Sequence, residues 1–391
     1  MANILVGWEL GFGLGQVVPL RDIARRLAAL GHQPQLVFNN VVDPAALFAP
    51  GEFRMLQAPS WLPRRSRLGG DVNAATYADV LALAGFNSVA SIATIVQAWD
   101  ELLDLTAPDL VVGNASPALW LAARGQIPTI ALGNGFAMPP SELAYLPPLQ
   151  PDAHPTVRQA DLVGAINQIQ TNRGRPTLPN LPALFDADAK YILTLPTLDP
   201  YADHRPSPAD GPLSPYGGPL PMPPSDSVFA HFDADQPGLG VIMEGLALAG
   251  LTTNAFIRGA PPSAVERYAQ DNISIVEDVP DFGAAIRDCS VVVHDGGLHT
   301  ASVALSLGRP QVILPRGLER RLTAQRVHDL GTGIKIEGRI SAPHFATILA
   351  GAANSGRMAR RAFEVATDLS RAEPRDLLSE IVESCEELLA G

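Results

Sequence analysis

The stretch Val291-Val-Val-His-Asp-Gly-Gly-Leu-His-Thr300 has the residue types of an anion seat. A β-branched run ends at Val293, Gly296 and Gly297 permit a tight turn with close approach of the backbone to a ligand, and Leu298 to Leu307 has the pattern of a helix. The unbonded N–H groups of that helix's first turn, with the positive end of its dipole, favour negative charge. Thr300 adds a hydroxyl donor, and His294 and His299 bring imidazoles to the same turn. The chemistry available is the holding of a diphosphate. The competing reading is an ordinary strand-to-helix corner, with His294 a hydrogen-bonded residue at a strand end.

The following residues extend the pattern. Gly308-Arg-Pro-Gln-Val-Ile-Leu-Pro315 reads as a helix stop, a second buried strand and a proline exit, and the run from Gly317 to Gly331 as a helix closed by glycine. Together they resemble the donor-binding segment of the family 1, UDP-glycosyltransferase-like enzymes of the GT-B fold, the bacterial macrolide and natural-product type included. That pattern runs His-x-Gly-Gly, a Thr or Ser, Gly-x-Pro, an apolar strand to Pro, an acidic residue with Gln, and Ala-x-Arg-Val to a glycine. His294, Gly296, Gly297, Thr300, Gly308, Pro310, Pro315, Glu319, Ala324, Arg326, Val327 and Gly331 fall on its places.

The resemblance implies an α/β protein of two Rossmann-like doubly wound domains facing a central cleft. It implies inverting transfer of a sugar from a UDP- or dTDP-sugar to a small-molecule acceptor, with the nucleotide sugar as substrate and no further cofactor. By the same resemblance His294, Gly296, Gly297, Leu298, His299 and Thr300 hold the donor's phosphates, Glu319 accepts sugar hydroxyls, and the backbone around Val279 reads the base. Arg320 departs from the family's amide. It would favour a carboxylated sugar or pair with Glu319, unless Arg316, Arg320 and Arg321 simply form a solvated face. Asp233 stands where relatives carry Gly-Ser beside the phosphate, and would repel a diphosphate if it pointed inward. Transfer is expected to be metal-independent, with no residue assigned to a metal.

The second departure lies in the loop Gly7-Trp-Glu-Leu-Gly-Phe-Gly-Leu-Gly-Gln16. Its glycines tempt a dinucleotide reading, but the spacing is wrong and the next strand ends in Phe38-Asn39-Asn40 without a ribose-binding carboxylate. The family's first loop matches Gly15-Gln16-Val17-Val18-Pro19, with Gln16 on the place of the usual general-base histidine. Its orienting carboxylate falls on Asn114. An amide takes no proton near neutral pH. Three readings follow: Glu9, flanked by Trp8 and Leu10, serves as base; or the acceptor is already acidic or nucleophilic; or activity is lost and the chain only binds a nucleotide sugar. A sugar-nucleotide epimerase of the same fold is a further alternative. Trp8, Phe12, Asn134 and Phe136 are the expected acceptor contacts.

Elements that would position these groups alternate along the chain. Strands are predicted from Asn3, Gln35, Asp109 and Thr129, and again from Ser227, Thr253, Ile273 and Val291, with helices between them. The reading is an acceptor domain over 1–212, a proline-rich linker over 213–226, a donor domain over 227–372, and a terminal helix over 373–391 that returns to the first domain. With 391 residues and 47% hydrophobic content the chain suits two cores. A net charge of -12 disfavours nucleic acid and anionic membranes as partners. Two cysteines give no disulfide framework, and the start has no secretory pattern, so a cytoplasmic place is expected. The apolar run Val80 to Trp99, broken by Asn87, Ser88, Ser91 and Gln97, is expected to be one buried helix rather than a membrane span.

Overall fold

Ile4, Leu5 and Val6 near the start, and Val291, Val292 and Val293 later, leave no polar face for water. Such runs settle as inner strands of parallel sheets covered on both sides by helices. The computed structural model describes residues 1–11, 13–61, 74–223, 227–372 and 375–391. It divides into two units, Met1–Ser214 with Asp376–Gly391, and Pro215–Arg375.

In the first unit β1 (Asn3–Trp8), β2 (Gln33–Phe38), β3 (Arg54–Gln57), β4 (Leu110–Asn114), β5 (Thr129–Gly133) and β6 (Ala189–Ile192) form one parallel sheet in the order β3-β2-β1-β4-β5-β6. In the second, β7 (Ser227–Asp233), β8 (Thr252–Arg258), β9 (Ile273–Val276), β10 (Val291–His294), β11 (Gln311–Ile313) and β12 (Gly333–Lys335) are ordered β12-β11-β10-β7-β8-β9, also parallel. Counted within its own unit, the second order is the same as the first. Each sheet therefore reverses direction between its first and fourth strands, and ligands of such sheets bind off the carboxyl ends at that reversal. Register sets Trp8 opposite Asn114 in one unit and His231 opposite His294 in the other.

The first core joins Ile4 and Val6 to Leu20, Ile23 and Leu27 of the helix Val17–Ala29. Leu377, Ile381, Val382 and Cys385 of the last helix, Leu377–Ala390, pack into it. Tyr191 Oη lies 2.7 Å from Ser384 Oγ, fixing that helix beside β6. The second core gathers Phe232, Met243, Leu246, Val293 and Phe345. Burial pushes the thiols of Cys289 and Cys385 up to about 12, which keeps both unreactive.

One expectation needs correction. The run from Val80 to Trp99 is not one helix: Tyr77–Phe86 and Val89–Thr106 meet at a bend of 77°. Gly85 takes φ +124°, and Ser88 accepts from Ser91 N to start the next helix, so the polar residues that broke the apolar pattern mark a real corner. Among the described residues no single helix is long and apolar enough to cross a membrane. The proline-rich approach to the linker, from Pro196 onward, is held at both ends. Pro196–Leu198 forms a 3-10 turn and Tyr201 is buried in the first unit, while Arg309 donates to the Leu220 carbonyl at 2.9 Å and ties the other end into the second.

Candidate functional site

In the second unit the chain leaves β10 at His294 and enters the helix Leu298–Ser306 after one turn. The Gly296 N–H donates to His294 Nδ1 at 3.1 Å, so the ring proton resides on Nε2 and goes to Gln311 Oε1 at 2.9 Å. His294 is fully buried, and burial, reinforced by the Arg320 charge, lowers its pKa to about 4. The imidazole is thus a neutral brace for the turn. It does not face an anion directly as expected, because both ring nitrogens already have partners inside the unit.

Gly296 adopts φ +90°, and a Cβ there would come within 2.7 Å of the Arg320 carbonyl oxygen. Its close approach is to the neighbouring helix Gly317–Asp329. Gly297 donates its N–H to Asp295 Oδ1 at 3.1 Å and stands as N-cap without any side chain capping the helix. The first N–H groups of that helix, at Leu298, His299 and Thr300, have no intrahelical acceptor by geometry. Gly297 and Leu298 are half-buried and His299 is exposed, so this helix end reaches the surface. The Thr300 hydroxyl lies 2.9 Å from His231 Nδ1 on β7. Burial first, then the neighbouring His294, lowers the His231 pKa to about 3.

Beside this turn lies a charge cluster that sequence reading did not assemble. Asp233 Oδ1 accepts from Arg258 Nε at 2.6 Å, and its other oxygen bonds Arg316 and, at 3.3 Å, Arg320. Asp295 bonds Arg320 in turn. Burial alone would raise Asp233, but Arg258, Arg320 and Arg316 outweigh it and hold it at about 2. The Asp233 charge is thereby answered by three arginines. Arg316 and Arg320 are not a solvated face, since both are bound to carboxylates on strand ends. The signal available beforehand was the i,i+4 spacing of the two arginines against acids at two inner-strand ends. Val279 is exposed, 69% of its surface open. His299 lies between Tyr216 and Phe282, ring centroids 5.3 and 5.2 Å away.

In the first unit the reversal point is closed by Glu9. Its Oε2 accepts from Ala118 N at 2.8 Å and Leu119 N at 3.2 Å, and its Oε1 from Trp61 Nε1 at 2.7 Å. The side chain is 3% exposed, and burial raises its pKa to about 7 against the pull of those three donors. Asn114 donates from Nδ2 to the Gln16 carbonyl at 2.8 Å, and its buried Oδ1 has no partner among the described residues. The two amides do meet, but through the Gln16 backbone. Ala115, which follows, is held at φ +48°, a strained value for a residue with a Cβ.

Trp8 is a correction. It is buried against Phe38 and spends its indole N–H on the Leu10 carbonyl at 2.7 Å, so it is core rather than an acceptor contact. Asn134 accepts from Ala137 N at 2.9 Å and shapes its own loop, while Phe136 packs edge-on to Tyr77 at 5.3 Å. Arg205, paired with Asp199, donates to the Gly135 and Met138 carbonyls and pins that loop. Trp61, stacked on Phe86 at 4.8 Å, was not anticipated. Phe12 lies outside the described residues. Among the described residues no three His, Cys, Asp or Glu side chains converge in a way that could hold a metal.

Comparison with known proteins places this geometry. Residues 263–388 match the family described as erythromycin biosynthesis protein CIII-like, C-terminal domain. A desosaminyl transferase acting on 3-alpha-mycarosylerythronolide B, from Saccharopolyspora erythraea, is 34% identical over 129 residues, 31% of this chain and 28% of that protein. An erythronolide mycarosyltransferase of Saccharopolyspora erythraea is 36% identical over 64 residues, 16% of this chain and 15% of that protein. The alignments thus span less than a third of either relative. Among solved structures, the calicheamicin glycosyltransferase superposes with a TM-score of 0.70 at 18% identity, over 100% of this chain and 98% of that one. A Streptomyces glycosyltransferase complexed with thymidine diphosphate gives 0.64 at 17% identity, over 99% of this chain and 100% of that one. The fold is that of the GT-B glycosyltransferases.

Proposed function

From the premise that this is a GT-B-fold chain whose residues 263–388 carry the CIII-like C-terminal domain, we propose that it transfers a sugar from a nucleoside-diphosphate donor to a small-molecule acceptor, with inversion. The observation that carries the reading is the uncapped, surface-reaching start of the helix Leu298–Ser306, with Thr300 held by His231. When the anomeric bond breaks, negative charge grows on the leaving diphosphate. Preset N–H groups and a hydroxyl stabilise that charge without reorganising. A structural neighbour solved with thymidine diphosphate supports a donor of this kind.

Gln16 stands on the acceptor side where the resembled family carries its general-base histidine. Gln16 and Asn114 accept no proton at neutral pH, and both oxygens of Glu9 already receive hydrogen bonds behind a nearly closed surface. This favours an acceptor that supplies its own nucleophile, such as a carboxylate or an acidic phenol, with the amides positioning it. The second reading, Glu9 as base, has one observation in its favour, a pKa near 7. Incubating the chain with UDP- and dTDP-sugars and a panel of carboxylate, phenol and alcohol acceptors, read by mass shift, tests both. Transfer to acidic acceptors that survives Glu9→Gln supports the first reading. Transfer to ordinary alcohols that Glu9→Gln abolishes supports the second, and no transfer to any acceptor leaves a nucleotide-sugar binder.

A further inference from the structure

Glu9 follows the last residue of β1, and N–H donors from two other segments of the first unit converge on its carboxyl group. Oε2 accepts from the backbone of Ala118 and Leu119, at 2.8 and 3.2 Å, in the first turn of the helix Pro117–Ala123. Oε1 accepts from the Trp61 indole at 2.7 Å. The backbone of Glu9 is fixed separately, its carbonyl accepting from Asn39 Nδ2 at 2.8 Å. An ionised carboxyl group only accepts, whereas a protonated one must also donate. Donors on both oxygens therefore describe the ionised form, and a proton added to the group has to displace one of them.

The surroundings decide which bond yields. Ala118 and Leu119 present main-chain N–H groups that cannot rotate out of their helix, and stranding one in a buried place is costly. Trp61 is half-buried, its ring lying on Phe86 with centroids 4.8 Å apart and planes 29° from parallel. Its N–H can turn to water. Oε1, with one donor against two on Oε2, is also the oxygen with room for a proton. Burial favours the neutral acid and outweighs the donors, so the two forms are equally populated at about pH 7. Among the described residues no charged side chain adds to this balance; it is struck between burial, the indole and the N–H groups of Leu119 and Ala118.

We infer that Glu9 and Trp61 form a proton-sensitive tie: the ionised carboxylate holds the indole, and the protonated acid lets it go. The tie joins the loop that carries Gln16 to the segment after β3 and, through Phe86, to the helix corner at Gly85. Taking up one proton loosens that junction. This gives Glu9 a task apart from sugar transfer, and it stands or falls with no donor or acceptor bound.

The test reads the indole N–H signals of the full chain by NMR, without ligands. Four tryptophans, Trp8, Trp61, Trp99 and Trp120, give four signals, and comparison with Trp61→Phe assigns the one that matters. Between pH 5.5 and pH 8.5 the ionised share of a group with a pKa of about 7 rises from about 3% to about 97%. The Trp61 signal should shift over that range with its midpoint near 7. Glu9→Gln turns an amide N–H toward the indole and so resembles the protonated acid at every pH. Exchange of the Trp61 N–H with solvent should therefore be about tenfold slower in the native chain than in Glu9→Gln at pH 8.5, and about equal in the two at pH 5.5. A Trp61 signal that stays still, or that moves equally in Glu9→Gln, overturns the tie. Loss of sugar transfer in Glu9→Gln with the native Trp61 signal unmoved would make Glu9 a base and not a tie. If Glu9→Gln does not fold, acrylamide quenching of the native chain and Trp61→Phe decides: extra quenching at pH 5.5 over pH 8.5 should be seen in the native chain alone, and an equal rise in both overturns the inference.

Discussion

His231 Nδ1 lies 2.9 Å from Thr300 Oγ1, joining the inner strand β7 to the third residue of the helix Leu298–Ser306. Burial keeps the imidazole neutral over the physiological range, so it can orient a hydroxyl without adding charge. With its proton on Nδ1, the neutral ring donates to the Thr300 oxygen and leaves the hydroxyl proton free to meet an anion. His231→Ala should therefore raise the donor KM by about five- to tenfold with a smaller effect on acceptor KM, a split that steady-state kinetics will measure. Equal loss in both constants would indicate a purely structural role.

Gly296 cannot carry a side chain. At φ +90°, with the Arg320 carbonyl oxygen 2.7 Å from where a methyl group would sit, Gly296→Ala adds backbone strain to a steric clash. The expected cost is about 2–4 kcal/mol, measurable by urea unfolding, with loss of diphosphate binding. Gly297→Ala, whose φ of -57° suits any residue, should cost about 1 kcal/mol or less.

Glu9 supplies a pH signature. Its folded pKa of about 7 stands above the ordinary glutamate value of 4.5, so its contribution to stability is fully present below pH 4.5 and is lost as pH rises through 7. A shift of this size corresponds to about 3 kcal/mol. Glu9→Gln removes the titration but also costs at least one of the three hydrogen bonds. The stability difference between variant and native chain should move in the variant's favour between pH 5 and pH 8, as read by denaturant midpoints at each pH. A difference that is flat with pH would mean the carboxylate titrates normally.

The buried imidazoles act in the opposite sense. His294, lowered to about 4 from 6.5, contributes stability that is present above pH 6.5 and is lost as pH falls through 4. The thermal midpoint of the native chain should drop more steeply than that of His294→Asn over that window, although the variant starts lower for want of its bond to Gln311.

Much of the fold was readable because parallel inner strands carry uninterrupted apolar runs. The strands from Asn3, Thr129, Ser227 and Val291 all stand where their runs begin, and Gly31 and Gly331 do follow the helices they were expected to close. The corner at Gly85 was missed because one glycine within an apolar run looks the same whether it lies inside a helix or ends one. The turn proposed to hold the diphosphate was legible as a strand, two glycines and a helix. What the pattern could not reveal was where the side chains point. Trp8 turned inward to meet the Leu10 carbonyl, and His294 spent both nitrogens on its own turn. The arginine cluster was hidden because Asp233, Arg258, Asp295 and Arg316 are far apart in the chain, and only the reversal of strand order between β7 and β10 brings them together.

Titration calorimetry of thymidine diphosphate and uridine diphosphate into the chain, alone and as Thr300→Ala, tests the donor seat most directly. One site per chain, with a dissociation constant on the order of micromolar that weakens at least about tenfold in the variant, is the predicted result. No heat from either nucleotide at about 1 mM, or an affinity that Thr300→Ala leaves unchanged, would contradict it.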